Sequence, residues 1–270
     1  MPRRDSDPDF VESIARGFDV LKAFDRSRPA MTLSEVATVT GLARPTARRI
    51  LRTLESIGYV RAANSSFSLT PRVLELGVTY VQALGLWDIA RPHLEDLVAK
   101  TRESSSVAQL DGSDIVYVAR VAVPKLIALS VHVGTRFPAV PTSLGKVLLA
   151  GLDPEELDKV LAEPSRAGVA PRWQPERAEL DRVLSSVRAQ GWALTDEQLA
   201  SGIRSVAAPL RDGSGKVVAA VNVTVHAAET SLETLREEYL PLLLDTAGRI
   251  SADFALRDSL PHAVAPLDQP

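Results

Sequence analysis

The stretch from Thr32 to Val60 constrains the fold more than any other part of this chain, because its start, stop and turn signals divide it into two short helices. Thr32 and Glu35 have the spacing of a capping box at the start of the first helix. Gly41 is the residue type that ends a helix in a left-handed conformation, and Pro45 suits the first turn of the next helix. The pattern predicts a helix-turn-helix followed by a strand.

The second predicted helix has an apolar face and a basic face. Its predicted buried face consists of Ala47, Ile50, Leu51, Leu54 and Ile57, which recur at helical spacing. On the other side, Glu55 is the only acidic residue between Arg44 and Arg61. A solvated face usually carries both charge signs, so this composition favours DNA contact, with an ordinary solvated face as the alternative. The predicted DNA-binding residues are Arg44, Pro45, Thr46, Arg48, Arg49, Arg52 and Arg61.

A helix is predicted before this motif and a hairpin after it. Apolar residues recur at helical spacing from Phe10 to Phe24. The runs Tyr59–Arg61 and Ser66–Leu69 flank a short polar turn, which predicts two antiparallel strands. A hairpin directly after a recognition helix is a wing. The sequence therefore predicts a winged helix-turn-helix domain over residues 10–72, with Arg61 on the wing.

The charge of the chain is distributed unevenly. The net charge is −3, but residues 1–72 hold 12 Lys and Arg against 8 Asp and Glu, whereas the remaining residues hold 19 against 26. A basic N-terminal part is typical of a DNA-binding domain joined to an acidic body. The lack of cysteine excludes a disulfide framework and a thiolate metal site. No apolar run suits a bilayer span or a signal peptide, so we expect a cytoplasmic protein without a membrane partner.

The rest of the sequence predicts a linker and a second domain. Residues 73–86 have a broad apolar face, which we interpret as a linker helix that packs on another surface, such as a second subunit. Strand and helix signals then alternate over residues 87–258. Strands are predicted at 104–110, 115–121, 126–133, 206–210 and 217–225, and helices at 87–100, 142–151, 153–161, 176–190 and 231–257. This order predicts an α+β domain with helices on a mostly antiparallel sheet.

Three stretches together resemble the IclR family of bacterial transcriptional regulators. They are Leu33–Val60, Thr142–Ala150 and Gly191–Thr224. Three shorter segments are similar to the branch of that family that controls aromatic-acid catabolism through the protocatechuate and β-ketoadipate pathway. Those segments are Phe10–Ser13, Gly134–Ala139 and Tyr239–Pro241. The resemblance extends from about residue 10 to residue 257.

This resemblance implies a winged helix-turn-helix, a linker helix and a C-terminal GAF-like effector-binding domain. It implies a ligand-responsive regulator of catabolic genes that binds double-stranded operator DNA and senses a small organic acid, aromatic or dicarboxylic. It also implies homodimers, often assembled into tetramers. Neither an enzymatic activity nor a cofactor is expected, and the four histidines lack metal-ligand spacing.

The resemblance places the effector-binding residues on one helix and the later strands. They are Ser143, Leu144, Thr195, Ser205, Asn222 and Thr224. Independently of the resemblance, Thr142 begins a helix whose N-terminal amides suit a carboxylate, and Asn222 and Thr224 share one face of a strand. The cations proposed as carboxylate partners are Arg136 and Arg204, with Arg120 and His132 as further candidates. For each cation an ordinary surface role is the alternative.

Two other functions are open at this point. Ser143 and Lys146 have the S-x-x-K spacing of an acylating serine, which would make the chain a hydrolase. This four-residue match has neither of the companion motifs of such enzymes. The second alternative is a DNA-binding protein that responds to no ligand. Turnover of an acyl substrate would identify the first alternative, and a lack of ligand-induced stabilisation would favour the second.

Overall fold

The computed structural model describes residues 9–25, 27–77, 79, 85–124 and 131–259. The chain divides into two compact units, Met1–Ala83 and Leu84–Pro270. Part of the predicted linker helix over 73–86 falls on residues 78 and 80–84, which lie outside the described residues. Its described part begins at the end of a 3-10 turn, Pro71–Val73, continues as helical backbone at 74–77 and 79, and ends with Gly85 and Leu86 at the start of the next helix.

The described part of the N-terminal unit combines three helices with a small antiparallel sheet. The elements are α1 (Glu12–Lys22), β1 (Ala30–Thr32), α2 (Leu33–Thr40), α3 (Arg44–Ser56), β2 (Val60–Ala63) and β3 (Ser66–Leu69). The sheet order is β1-β3-β2. The predicted helix-turn-helix and hairpin are therefore confirmed. Strand β1 was not predicted, because three residues are too few for an alternating pattern.

Local signals in the sequence determine the ends of these helices and the hairpin turn. Thr32 and Glu35 form the predicted capping box, in which the Thr32 hydroxyl accepts from the Glu35 amide and the Glu35 carboxylate accepts from the Thr32 amide. Gly41 ends α2 with a φ of +67°. Asn64 and Ser65 have φ values of +48° and +63°, as a tight two-residue hairpin turn requires.

The core of the N-terminal unit confirms most of the predicted apolar face of α3. Ala47, Leu51 and Leu54 are buried against residues of α1, α2 and β2. The prediction for Ile57 was wrong, since its side chain is 47% exposed. Ile57 follows the last residue of α3, where the helical spacing no longer determines which way a side chain points.

The described part of the C-terminal unit contains a six-stranded antiparallel sheet and six helices. The elements are α4 (Leu86–Thr101), β4 (Ser104–Asp111), β5 (Asp114–Val121), β6 (Arg136–Pro138), α5 (Ser143–Ala150), α6 (Pro154–Ala162), α7 (Arg177–Gln190), β7 (Ala193–Asp196), β8 (Ile203–Arg211), β9 (Val217–His226), α8 (Leu232–Thr234) and α9 (Leu240–Ser259). A π-helical turn, Leu235–Tyr239, joins α8 to α9. The strand order is β6-β5-β4-β9-β8-β7.

Helices cover both faces of this sheet, and the alternation along β9 shows which residues face which layer. Val221, Val223 and Val225 belong to the core that includes α4 and α9. Ala220 belongs to the core on the opposite face, which includes α5 and α7. Because successive strand residues point to opposite faces, Asn222 and Thr224 lie on the α5 side. The predicted α+β architecture with a mostly antiparallel sheet is confirmed.

Two differences from the predicted strands concern the sheet edges. The strand predicted at 126–133 falls mainly on residues 126–130, which are not among the described residues, and residues 131–133 are not in a strand. Instead, β6 pairs with β5 as an edge strand, and β7 pairs with β8 at the other edge. Strand β6 has three residues and β7 has four. Such strands are too short to show an alternating apolar and polar pattern in the sequence.

Gly145 in the first turn of α5 provides a test of this packing. A Cβ at this position would lie 2.0 Å from the carbonyl oxygen of Ala139, which is backbone and cannot rotate away. We expect Gly145→Ala to lower the free energy of unfolding of the C-terminal unit by roughly 1–3 kcal/mol, the usual cost of overpacking. The control is Gly248→Ala in α9, where the added carbon has no atom within 4 Å apart from its own stretch of helix. Equal stability of the two variants in urea unfolding would contradict the close packing.

Candidate nucleic-acid interface and polar cavity

The described face of α3 presents a row of three exposed arginines. Arg44, Arg48 and Arg52 are spaced by four residues and therefore lie one above another on the helix. Arg52 Nη1 is 2.8 Å from Glu55 Oε2, and Glu55 is the nearest acidic residue along the helix. Arg61 is exposed on β2 of the hairpin. This arrangement can contact phosphates and base edges of a duplex.

The other predicted DNA-binding residues lie around this row. Pro45 is exposed in the first turn of α3. Ala43 precedes the helix and makes no side-chain cap, so the first amides of α3 have no capping acceptor from it. Thr46 and Arg49 lie on a different flank of α3, where they line a groove between α1 and α3. The structure thus separates Thr46 and Arg49 from the row formed by the other α3 arginines.

The groove between α1 and α3 has a volume of about 750 Å³ and an apolar margin. Ile14 and Phe18 of α1 line it together with Ile57 and Leu76, and all four side chains are exposed. Exposed apolar residues that cluster in this way usually mark a surface for another protein. The apolar spacing from Phe10 to Phe24 and the predicted buried face of α3 assigned Ile14, Phe18 and Ile57 to the packed sides of their helices instead.

On the α5 side of the large sheet there is a small, largely enclosed polar cavity. Its volume is about 30 Å³. It is lined by Tyr117, Thr142, Ser143, Leu144, Thr195, Leu199, Ile203, Ser205, Asn222 and Thr224. All six positions that the family resemblance assigned to effector binding therefore meet at one place, although they come from α5 and from three different strands.

Three hydroxyl groups form a hydrogen-bonded chain beside this cavity. The Ser205 hydroxyl lies 2.6 Å from the Ser143 hydroxyl and 3.0 Å from that of Thr195. All three residues are buried. Hydroxyl groups both donate and accept, so this chain can reorient its protons to suit either a donor or an acceptor on a ligand.

Asn222 is held in a fixed orientation on the cavity floor. Its Oδ1 accepts from the Ser106 amide at 3.1 Å, and its Nδ2 donates to the Thr224 hydroxyl at 2.8 Å. The Ser105 hydroxyl donates to the Asn222 carbonyl oxygen at 2.7 Å. Asn222 is only 2% exposed. Its amide therefore joins β4 to β9 as well as lining the cavity.

The N-terminus of α5 supplies main-chain donors at the same place. The Thr142 hydroxyl caps the helix by accepting from the Gly145 amide at 3.0 Å. Intrahelical hydrogen bonding begins with the Lys146 amide, so the amides of Ser143 and Leu144 have no acceptor within the helix. These two amides and the helix dipole can bind a carboxylate.

The structure does not place the two predicted cations, Arg136 and Arg204, at the cavity. Arg136 pairs with the carboxylates of Asp111 and Asp114 instead. Arg204 pairs with Asp196 at 2.6 Å, and its Nη1 also donates to two backbone carbonyl oxygens. The sequence could not reveal these acidic partners, because strand pairing brings them together.

Sequence reasoning missed three residues of the cavity lining, Tyr117, Leu199 and Ile203. Tyr117 packs edge-on against Phe137 with ring centroids 5.9 Å apart, and burial raises its pKa to about 12. Its hydroxyl is therefore a neutral donor or acceptor near the cavity. A lone tyrosine in an apolar strand carries no signal that separates a cavity residue from an ordinary core residue.

The geometry does not support the serine–lysine pair of a hydrolase. Lys146 Nζ donates to Oε1 of Gln198 and lies 4.3 Å from the centroid of the Trp173 ring. The Ser143 hydroxyl instead bonds to Ser205. Burial lowers the pKa of the Lys146 amine to about 8, but its contacts position it as a link between α5 and Gln198.

Among the described residues, no group of three or more acidic or histidine side chains could hold a metal ion. Within the same residues, no helix has the length and apolar character needed to cross a membrane.

Comparison with known proteins gives matches along most of the chain. A model of the IclR helix-turn-helix domain matches residues 13–63, and a model described as "Bacterial transcriptional regulator IclR C-terminal" matches residues 78–252. The Pca regulon regulatory protein of Pseudomonas putida is 37% identical over 239 residues, which cover 88% of this chain and 82% of that protein.

Solved structures of similar proteins share the fold. A protein from Rhodococcus sp. RHA1 is 48% identical, with a TM-score of 0.80 over 92% of this chain and 100% of that one. An IclR homolog from Microbacterium hydrocarbonoxydans, solved with 4-hydroxybenzoate, is 26% identical, with a TM-score of 0.76 over 92% of this chain and 100% of that one.

The buried Lys146 amine predicts a specific dependence of stability on pH. Its pKa of about 8 in the folded protein lies below its usual value of 10.5, so between these values the unfolded chain binds more protons. The destabilising effect of burying the ammonium is therefore full below about pH 8 and disappears as the pH approaches 10.5. From pH 7 to pH 10, we expect the stability of the wild-type protein to rise by about 2 kcal/mol relative to Lys146→Met. Urea unfolding of both proteins at each pH measures this change, and a constant difference would contradict the lowered pKa.

Proposed function

Because the chain belongs to the IclR family of bacterial transcriptional regulators, we propose that it binds operator DNA and changes its DNA affinity when a small carboxylic acid occupies the polar cavity. The N-terminal residues 10–72 form the DNA-binding domain, 73–86 the linker helix, and 87–258 the effector-binding domain. The proposal that an effector binds is supported mainly by one observation. Ser143, Thr195, Ser205 and Asn222 all line one buried cavity beside a helix N-terminus.

DNA contact is assigned to α3 and the hairpin. The row of Arg44, Arg48 and Arg52 reaches into the major groove, and Arg61 contacts the backbone from the wing. Phosphate contacts position the protein, and arginines aimed at guanine edges add specificity. Pro45, Thr46 and Arg49 extend this surface at its edge. Such a protein works in the cytoplasm, where the bacterial chromosome is located.

The apolar groove of the N-terminal unit supports self-association of the chain. Its exposed Ile14 and Phe18 would be covered by a second copy of the chain, with the linker helix adding to the contact. A dimer with two-fold symmetry presents two recognition helices to a near-palindromic operator. Dimers of this kind can assemble further into tetramers.

The cavity suits a small acid after a local rearrangement. A volume of about 30 Å³ holds roughly one water molecule, so a larger ligand must displace lining side chains. Leu199 and Ile203, in and beside the connection between β7 and β8, are only partly buried and can move. The amides of Ser143 and Leu144 then receive the carboxylate. A relative named for the Pca regulon and a homolog solved with 4-hydroxybenzoate support an aromatic or dicarboxylic acid and catabolic target genes.

The arginine row gives a test of DNA binding. We expect Arg48→Ala and Arg52→Ala each to weaken operator binding and to reduce the salt dependence of log K by about one unit for each lost phosphate contact. Fluorescence anisotropy with an operator duplex at several salt concentrations measures both effects. Arg182→Ala, an exposed arginine of α7, is the matched control. If the double variant keeps the affinity and salt slope of the parent, the row is an ordinary solvated face.

The hydroxyl chain gives a test of effector binding. We expect Thr195→Val and Ser205→Ala to weaken binding of the cognate acid by about tenfold each, since a ligand group loses a buried hydrogen-bond partner. Isothermal titration with benzoate, 4-hydroxybenzoate and adipate measures the affinity, and operator binding with and without the acid measures the coupling. Thr246→Val, a buried threonine of α9 on the other side of the sheet, is the control. If both variants keep the affinity of the parent, the effector does not bind in this cavity.

A further inference from the structure

A second cleft of the C-terminal unit lies at the opposite end of α5 from the polar cavity. It has a volume of about 320 Å³ and lies between the C-terminal ends of α5 and α7 and the β8–β9 hairpin. Its charged lining residues are Arg188, Arg211 and Lys216, and none of its lining residues is acidic, so we call it the basic cleft. Ser143 borders the polar cavity and Ala150 borders the basic cleft, about 10 Å apart along the axis of α5. The two sites are therefore distinct.

A cluster of cations without acidic partners is unexpected in this part of the chain. After the N-terminal domain the sequence holds 19 Lys and Arg against 26 Asp and Glu, so acidic side chains are plentiful. Arg136 and Arg204, for example, both pair with aspartates. By contrast, none of the three cations of the basic cleft forms an ion pair with a described residue. Their charge is available to an anion from solution.

Hydrogen bonds to main-chain carbonyl groups hold both guanidinium groups at the cleft. Arg188 Nε donates to the carbonyl oxygen of Ala150 at 2.7 Å, and Arg211 Nη1 donates to that of Gly215 at 2.8 Å. Ala150 and Gly215 themselves line the cleft. The negative end of the α5 dipole accounts for the bond from Arg188, but that bond uses only Nε. Within the described part of the chain, the other N–H groups of both arginines have no acceptor.

The acidic residue nearest to Lys216 along the hairpin is used within the turn itself. Asp212 Oδ1 accepts from the hydroxyl of Ser214 at 2.6 Å and from the amides of Ser214 and Lys216 at 2.9 and 3.0 Å. The Ser214 hydroxyl is the main cause of the lowered pKa of Asp212, and the charge of Lys216 is the weakest of the causes. The exposed Lys216 ammonium is therefore not held by this carboxylate.

We propose that the basic cleft binds the phosphate group of a small metabolite, a phosphate monoester such as a sugar phosphate. A phosphate monoester carries nearly two negative charges at neutral pH and has three acceptor oxygens. Guanidinium groups donate paired N–H bonds to phosphate, and a lysine adds a point charge. The volume corresponds to about ten water molecules, which suits a phosphate with a short carbon skeleton. This site goes beyond the proposed function and does not depend on the effector cavity.

Calorimetric titration of the full-length protein with ribose 5-phosphate, ribonate and ribose tests the class of ligand. These compounds share a five-carbon skeleton and carry a phosphate, a carboxylate and no charge. We expect ribose 5-phosphate to bind with a dissociation constant below about 1 mM, ribonate to bind at least about tenfold more weakly, and ribose not to bind. Equal binding of ribonate would overturn the assignment to phosphate. If neither ribose 5-phosphate nor inorganic phosphate binds, the cations serve only the protein and the proposal fails.

Substitutions of the two exposed hairpin cations test the location of the site. We expect Lys216→Gln and Arg211→Gln each to weaken binding of ribose 5-phosphate by about fivefold or more, because each removes a charge-assisted contact. The Lys216 side chain has no described hydrogen bond, so its loss should not disturb the fold. Lys159→Gln and Arg182→Gln are matched controls, since both residues are exposed and lie outside the cleft. Equal losses in cleft and control variants would indicate general attraction by charge and overturn the site.

Two further measurements exclude the other sites at which a phosphate compound or a phosphate backbone would be bound. Ser205→Ala should keep the affinity for ribose 5-phosphate. If Ser205→Ala weakens this binding and Lys216→Gln does not, the ester binds in the polar cavity and the proposal is wrong. Operator DNA is the other source of phosphate, and both hairpin variants should keep the operator affinity and salt slope of the wild type. A loss of operator affinity without binding of ribose 5-phosphate would make the cleft a DNA contact instead.

Discussion

The pairing of β4 with β9 is the interaction on which the C-terminal unit depends. These strands are central in the sheet, and the side chain of Asn222 bonds to the amide of Ser106, a residue 116 positions earlier in the chain. Each half of the sheet is built from hairpins, β4 with β5 and β8 with β9, which can form locally. Among the described strands, only the β4–β9 pairing joins the halves. The apolar cores on both faces and the polar cavity exist because this pairing brings them together.

The cavity floor is made of the polar residues that this central pairing requires. An apolar residue at Asn222 would leave the Ser106 amide without its acceptor, and a buried unsatisfied amide is costly. The same side chain bonds to Thr224 and faces the cavity. In the proposed function, stability and recognition therefore depend on the same groups, so a change that adapts the cavity to a new ligand would also alter how the two halves of the sheet are held together.

Signals that act over a few residues were predictable from the sequence. The capping box of Thr32, the end of α2 at Gly41 and the neighbouring strands predicted at 104–110 and 115–121 all appear in the structure as expected. The family resemblance, rather than any local pattern, located the six residues that meet at the cavity. What could not be predicted depends on contacts distant in sequence. The aspartates that neutralise Arg136 and Arg204, and the cavity position of Tyr117, follow from strand register. Short edge strands such as β6 lack any periodic signal.

The hydrogen bond between Lys146 and Gln198 bears on the rate at which the segment around Gln198 can separate from α5, as well as on stability. Gln198 is held twice, since its side chain accepts from the Lys146 amine and its backbone carbonyl accepts from the amides of Arg172 and Trp173. The next residue, Leu199, lines the polar cavity. In the proposed effector binding, a ligand would enter when this segment separates from α5 and would leave when it separates again. Under that proposal, the strength of this anchorage would set how quickly the protein responds to a change in ligand concentration and how long it retains the previous state.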